Sequence, residues 1–466
     1  MSLFECTSPL TVSAEEAFAW HARPGAFERL CPPWQRLEVI ERTGDGIEEG
    51  SRLAFRLYRG PLPVTWVAEH RDLEPGRLFR DVQLRGPFAR WRHSHRFVPR
   101  PEGSELRDEI DYRLPLGSLG NALGGGVVRR DLERVFTFRH RTTREDLELH
   151  ARHRDRPTLR VAVAGAGGLL GTATRALLTT GGHRVVRLVR GGAAGAAADD
   201  TVAWDPERGL ARPEELEGVD AVVYLAGENI GAGPWTPARK ERLVASRVDA
   251  VRRLVEQLGT LGRPPRSFVC ASGISYFGDR GSDPVDEASA RGGGFLAELA
   301  ARWEEAAAGA ALWGARVVTL RFGVVLSPRG GALAKMLPAF RAGLGGPLGS
   351  GRQQLSWISL DDAAGAVLHA LHTDYLDGPV VVTAPRPVSQ RRFAATLGRV
   401  LRRPACLPTP AAALRLAFGE MAEETLLSST HALPVRLLGT GYRFRQPELA
   451  DALGHCLGKQ GAGERG

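Results

Sequence analysis

One seven-residue stretch limits the fold more than any other: Gly165-Ala166-Gly167-Gly168-Leu169-Leu170-Gly171. It follows the apolar run Thr158-Leu-Arg-Val-Ala-Val-Ala164 and precedes a helical pattern from Thr172 to Thr180. A buried strand that enters a glycine turn and then a helix is a dinucleotide-binding arrangement. Glycine allows the tight turn and the close approach of backbone N–H groups to a pyrophosphate. The positive end of the helix dipole then favours the anion. Further apolar runs at Ala221–Leu225, Ser267–Cys270 and Arg316–Leu320 alternate with helical patterns. Residues 158 to about 455 therefore read as a doubly wound parallel sheet.

Two other places in this region bear on the ligand. The second strand, His183-Arg-Val-Val-Arg-Leu-Val189-Arg190, ends on a cation. An NAD site often has Asp or Glu there to accept from the ribose 2′-OH. Arg190 suits a 2′-phosphate instead, so NADP(H) is expected over NAD(H). Leu225-Ala226-Gly227 ends the fourth strand, and small residues there let a dinucleotide cross the strand ends. An Ala/Gly stretch from Gly191 to Ala198 reads as flexible.

Residues 1 to about 150 have a different rhythm. Leu53, Phe55 and Leu57 alternate, as do Val64, Trp66 and Ala68, and short runs follow at 79–84, 91–98 and 106–114. Turn signals such as Pro75-Gly76 and Gly86-Pro87 separate them, which argues for an antiparallel sheet. Ser13-Ala-Glu-Glu16 has the form of a capping box ahead of a short helix. Val128, Leu132, Val135, Phe136 and Leu149 recur at helical spacing, so a closing helix is expected over about 127–149. His93-Ser-His95 puts two imidazoles on one strand face, but no third metal ligand stands out, so no metal is expected.

Composition excludes several classes. The chain has 466 residues, 43% hydrophobic and 25% charged, enough for two or three folded domains. The net charge of +9 does not argue for nucleic acid. Only three of the 62 basic residues are lysine, and the arginines are spread among 53 acids with no basic stripe. The five cysteines (Cys6, Cys31, Cys270, Cys406, Cys456) are scattered, which fits free thiols in a reducing compartment. The first residues, Met1-Ser-Leu-Phe-Glu-Cys, show no basic and apolar leader, and no 18-residue apolar run occurs. A cytoplasmic protein without a membrane span is expected.

The C-terminal region also carries longer motifs: Trp204-Asp-Pro, Leu225-Ala-Gly-Glu-Asn-Ile230, Trp235-Thr-Pro-Ala-Arg-Lys240, Ser246-Arg-Val, Tyr276-Phe-Gly-Asp-Arg-Gly281, Phe295-Leu-Ala-Glu-Leu299, Gly330-Gly-Ala-Leu-Ala-Lys-Met336, Gly345-Gly-Pro-Leu-Gly-Ser-Gly351, Ser356-Trp-Ile and Gly441-Tyr-Arg-Phe-Arg445. On these it resembles the atypical short-chain dehydrogenase/reductases known as epimerase family proteins, akin to nucleoside-diphosphate-sugar epimerases. The N-terminal pattern of strand, short helices, meander and long helix resembles the START-like, polyketide-cyclase-like (SRPBCC) helix-grip fold. The resemblance implies a Rossmann domain with a small C-terminal substrate region over about 380–455, preceded by an α+β helix-grip domain that wraps an apolar ligand. It also implies NADP(H) held by Gly165, Ala166, Gly167, Gly168, Leu169, Leu170 and Gly171. Val189, Arg190, Leu225, Ala226, Gly227, Arg247 and Val325 would complete that site.

Catalysis departs from the wider family. Its usual Tyr-x-x-x-Lys pair is absent: no tyrosine has lysine four residues later, and Phe295 and Leu299 stand where the pair belongs. Ser272 and Tyr276 are the candidates to move a proton during hydride transfer to a small carbonyl or sugar-nucleotide-like substrate, with Arg280 as a nearby cation. Trp235 and Trp357 are candidate substrate walls, Ser350-Gly-Arg352 a candidate anion loop, and Asp362 reads as a helix-capping residue. The missing pair also leaves open an NADP(H)-binding sensor without turnover. A carrier of apolar ligands through residues 1–150 is the third reading.

Overall fold

The computed structural model describes residues 2–44, 46–60, 62–191 and 200–459. The stretch Gly192 to Ala198, expected to be flexible, lies outside the described residues. The chain divides into two compact units, one built mainly from residues 1–157 and the other mainly from 158–454.

The first unit is a seven-stranded antiparallel sheet in the order β1-β7-β6-β5-β4-β3-β2, made of β1 (Ser2–Leu10), β2 (Arg36–Thr43), β3 (Arg52–Arg59), β4 (Leu62–Glu74), β5 (Leu78–Arg85), β6 (Arg90–Arg100) and β7 (Gly103–Arg113). Strict alternation along β7 buries Ser104, Leu106, Asp108, Ile110 and Tyr112. Two short helices, α1 (Ala14–Ala22) and α2 (Ala26–Leu30), lie between β1 and β2 in the chain. Ser13 caps α1 by accepting from the Glu16 N–H at 3.2 Å. The long helix α3 spans Gly117–Ala151 and supplies Phe136 and Leu147 to the core beside Trp20, Phe79 and Trp91. It starts ten residues before the expected Val127. Glycine in a helix costs about 1 kcal/mol against alanine, which hides this turn from a propensity reading. Gly120 is there for contact: a Cβ on it would lie 2.0 Å from the Pro115 carbonyl oxygen. Strand β2 was also not expected, because its mostly exposed residues carry no apolar period.

The second unit is an eight-stranded sheet in the order β11-β10-β9-β8-β12-β13-β15-β19. Its strands are β8 (Arg160–Ala164), β9 (Arg184–Val189), β10 (Thr201–Asp205), β11 (Gly209–Leu210), β12 (Ala221–Tyr224), β13 (Ser267–Gly273), β15 (Arg316–Phe322) and β19 (Gly378–Val382). All neighbouring strands pair in parallel except β10 with β11, which bears out the doubly wound reading. The chain leaves β8 toward β9 on one side and returns to β12 on the other. That reversal is the crevice where open α/β sheets bind ligands. Helices α4 (Leu169–Thr180), α5 (Pro237–Val244), α6 (Ala250–Leu258), α7 (Phe295–Ala308), α8 (Gly331–Arg341), α9 (Leu360–His372) and α10 (Gln390–Leu401) connect the strands or follow them. Three two-stranded pairs complete the unit: β14 (Pro284–Val285) with β21 (His431–Ala432), β16 (Val324–Leu326) with β18 (Trp357–Ser359), and β17 (Gln354–Leu355) with β20 (Val388–Ser389). Strand β19 pairs with β15 through Val382. Among the described residues no helix is long and apolar enough to cross a membrane.

Candidate functional site

The glycine turn explains itself by what a side chain would strike. Gly165 has φ +79°, and a Cβ on it would lie 2.7 Å from the Ala226 nitrogen and 2.8 Å from the Leu225 carbonyl carbon. The turn therefore sits against the end of β12. Gly171 would put a Cβ 2.0 Å from the Gly165 carbonyl oxygen, so the first turn of α4 packs directly on the glycine loop. Gly167 faces open space, and Gly167 and Gly168 are exposed while Ala166 is buried. Leu169 and Leu170 open α4 half-buried. The arrangement presents an uncluttered backbone surface at the start of a twelve-residue helix, which fits a pyrophosphate.

Val189 ends β9 half-buried, and Arg190 follows it, exposed. Leu225, Ala226 and Gly227 line the end of β12 as expected from the sequence. Behind them stands Arg247, on a single π-helical turn (Ala245–Asp249) between α5 and α6. Its guanidinium is buried, donates to the Glu228 carbonyl at 2.8 Å, and lies 5.2 Å from the Trp303 ring centroid. A Cβ on Gly227 would meet it at 3.0 Å. Burial lowers the Arg247 pKa to about 10. Arg247 thus holds the backbone of the 227–228 loop. Val325 is half-buried in β16, and a Cβ on neighbouring Gly323 would strike the Ser356 carbonyl at 2.7 Å.

The two catalytic candidates meet through residues that the sequence reading missed. Ser272 and Arg321 are register partners on β13 and β15. Ser272 donates its hydroxyl proton to Glu304 of α7 at 2.7 Å. Arg321 grips the same carboxylate with Nε and Nη2, both at 2.8 Å. Its guanidinium carbon lies 3.5 Å from the centroid of the Tyr276 ring. Ser272 and Arg321 are buried, whereas Tyr276 is half-buried. The Arg321 Nη1 atom is buried with no hydrogen-bond partner. Arg280 is not the cation beside Tyr276, because it donates to the Phe277 and Ala290 carbonyls. A groove of about 840 Å³ lined by Glu304, Glu305, Arg316, Thr319 and Tyr375 touches this cluster only through Glu304.

Other expectations sort by burial. Trp357 is completely buried in β18 and cannot wall a substrate. Trp235 is half-buried, donates to the Ile230 carbonyl, and packs edge-on to Phe295 with ring centroids 5.4 Å apart. Leu299 is buried, so apolar packing occupies the place of the usual proton-transfer pair. Asp362 lies buried near the start of α9, where it accepts from Ser359, Tyr442 and the backbone of Arg445 and Gln446. That is a structural role. Ser350 accepts from the Arg352 N–H in an exposed turn.

In the first unit the His93–His95 pair has more company than the sequence suggested. Asp81 of β5 and Asp108 of β7 flank it from opposite sides. Burial works against a charge on His95, yet the two carboxylates outweigh it and raise the imidazole to about 9. His140 of α3 is raised to about 9 in the same way by Asp108, against its own burial. Burial would raise both aspartates, but the surrounding imidazoles hold them well below the usual carboxylate range.

Three family models match the chain. Residues 10–138 match polyketide cyclase/dehydrase and lipid transport proteins, and residues 161–382 match the NAD-dependent epimerase/dehydratase family. Residues 409–456 match a domain of unknown function. Epimerase family protein Mb2239 of Mycobacterium bovis is 42% identical over 301 residues, covering 65% of this chain and 98% of that protein. The chain belongs to the epimerase family. Its epimerase-family domain is fused to an N-terminal polyketide-cyclase-like domain. The nucleoside-diphosphate sugar epimerase from Corynebacterium glutamicum superposes with a TM-score of 0.80 at 30% identity, covering 99% of this chain and 91% of that one. Human epimerase family protein SDR39U1, solved with NADPH, gives 0.59 at 35% identity over 64% of this chain and 99% of its own.

Proposed function

We propose that this epimerase family protein is an NADP(H)-dependent oxidoreductase or epimerase acting on a small carbonyl or sugar-nucleotide-like substrate. The observation that carries the reading is the glycine turn. Gly165 and Gly171 leave no room for a Cβ, while Gly167 faces open space and Arg190 stands exposed just past the end of β9. The human relative solved with NADPH supports the same cofactor. Bound there, NADP(H) supplies or removes a hydride at its nicotinamide.

The chain's own residues would manage the proton. The Tyr276 phenol gives a proton to the substrate oxygen in reduction and takes one in oxidation. Arg321, stacked on the ring, fixes the phenol, and Glu304 fixes Arg321. The Ser272 hydroxyl already donates its hydrogen bond to Glu304, so we assign it a positioning role in place of proton transfer. A reducing cytoplasm suits five cysteines scattered along the chain.

The test is a fluorescence titration with NADPH and NADH, followed by NADPH oxidation against carbonyl and sugar-nucleotide panels. Arg190→Ala is expected to weaken NADPH roughly 10- to 100-fold, as for loss of a charged hydrogen bond. NADH binding should barely change. Equal loss of both refutes the 2′-phosphate role. A second reading, an NADP(H) sensor without turnover, is favoured by Phe295 and Leu299 packing where a proton-transfer pair would sit. Tight NADPH binding with no oxidation across the panel would support it. A third, the apolar-ligand carrier, rests on the half-buried aromatic wall of Phe55, Trp66 and Phe88. Copurified apolar ligand would support that one.

A further inference from the structure

The first unit buries a set of imidazoles and carboxylates that the proposed redox reaction does not use. His93 and His95 point from β6 to one side of the sheet, with ring centroids 3.9 Å apart. Asp81 from β5 faces them. Its Oδ2 lies 3.3 Å from His95 Nε2 and 3.7 Å from His93 Nδ1. One ligand atom from each of these three residues fits within 4.8 Å of the others. Metal–ligand bonds of about 2.0–2.1 Å in a tetrahedron place neighbouring ligand atoms roughly 3.3–3.4 Å apart. The observed spacing is already near that edge.

What separates this group from a chance gathering is the shell behind it. One carboxylate oxygen lies on the far side of both rings: Asp108 Oδ1 hydrogen-bonds His93 Nε2 at 3.1 Å and makes an ion-pair contact with His95 Nδ1 at 2.7 Å. That contact turns the other nitrogen of each ring toward Asp81. Asp108 is itself fixed through Oδ2, 2.7 Å from His140 Nε2. His140 meets Ser8 through its other nitrogen at 2.9 Å. Asp81 makes an ion-pair contact of its own, Oδ1 lying 2.7 Å from His70 Nδ1, and its Oδ2 is left toward the histidines. Metal-ligating imidazoles almost always carry such a carboxylate or carbonyl partner on the second nitrogen.

We infer that His93, His95 and Asp81 form a site for one divalent transition-metal ion, with Asp108 and His70 as positioning residues. Two imidazoles and one carboxylate suit Zn²⁺ or Fe²⁺ and leave coordination positions open for water or a substrate oxygen. Two carboxylates balance the charge of a dication. Phe79 stacks on His95 at 4.2 Å and Phe136 lies edge-on to His93 at 5.2 Å, so the walls are apolar. The side chains of Asp81 and His70 retain 23% and 17% exposure, which gives an entry path on that side.

The test uses the full-length protein, stripped with chelator and then titrated with Zn²⁺ or Co²⁺. About one equivalent per chain should be retained after desalting. The Co²⁺ form should show a visible absorption band, and X-ray absorption should count two imidazoles. Asp81→Asn should weaken uptake more than tenfold. Asp108→Asn should weaken it about 10- to 100-fold by loosening the two imidazoles that Asp108 orients. A folded wild-type chain that retains neither Zn²⁺ nor Co²⁺ overturns the inference. So does uptake that Asp81→Asn leaves unchanged, or a bound metal without the imidazole pair. If Asp81→Asn fails to fold, the imidazole count on the wild-type protein decides alone.

Discussion

Two buried clusters, one in each unit, neutralise their carboxylates in opposite ways. In the second, Glu304 meets the guanidinium of Arg321 in a two-pronged pair, with Ser272 on the same carboxylate. In the first, Asp81 and Asp108 meet only imidazoles. A guanidinium is charged at every accessible pH, so the Glu304 cluster is balanced as it folds. An imidazole is charged only after taking a proton, so the Asp108 cluster draws its positive charge from solution. The contrast lies in the cation rather than in the unit. The first unit also holds a guanidinium pair, Arg29 with Asp146, joined by two bonds of 2.7 Å. A permanently paired cluster is suited to holding geometry. A cluster that must acquire its cation is suited to exchanging it.

Mutations that remove one carboxylate sharpen this contrast. Glu304→Gln should have the largest effect, because Arg321 cannot release its charge. A loss of about 3–5 kcal/mol in urea unfolding is expected for a stranded buried charge. The double change Glu304→Leu with Arg321→Met should recover much of it. Asp108→Asn in chelator-treated protein should cost less, about 1–3 kcal/mol, because the imidazoles can give up their protons. An equal or larger loss for Asp108→Asn would break the comparison. Ser272→Ala should be the mildest, about 1 kcal/mol, since the Arg321–Glu304 pair survives it. A loss as large as that of Glu304→Gln would make Ser272 the organising member.

The chain announces the first of these sites only in part. The glycine turn was legible because its requirement is a backbone one, and Gly165 and Gly171 meet that requirement within seven residues. Ser272 and Tyr276 were legible as polar groups at a strand end. Their partners were not, since Glu304 and Arg321 are joined only when α7 packs on the sheet. A signal did exist: Arg321 interrupts the apolar run Val317-Val-Thr-Leu320, and a cation inside a buried strand needs a carboxylate. The same holds for Asp108. It occupies an inward position between Leu106 and Ile110, where strict alternation calls for an apolar side chain. Antiparallel register then brings His95 opposite Asp108 and His93 opposite Asp81. Register across strands is fixed by the whole meander, so the pairing could not be read from His93-Ser-His95 alone. The helix α3 shows the reverse case, where Gly120, which looks like a breaker, is kept for a close contact.

The π-helical turn at Ala245–Asp249 works as a register device. It takes one residue more than an α-helical turn would into an otherwise continuous helical segment. Downstream, Val251, Leu254, Val255 and Leu258 keep a single buried stripe. Upstream, Arg239 and Leu243 are the buried residues of α5. Deleting one residue from the turn would leave plain α-helix there and displace Arg247 from Gly227. Length in this segment is therefore under tighter constraint than the identity of most of its side chains.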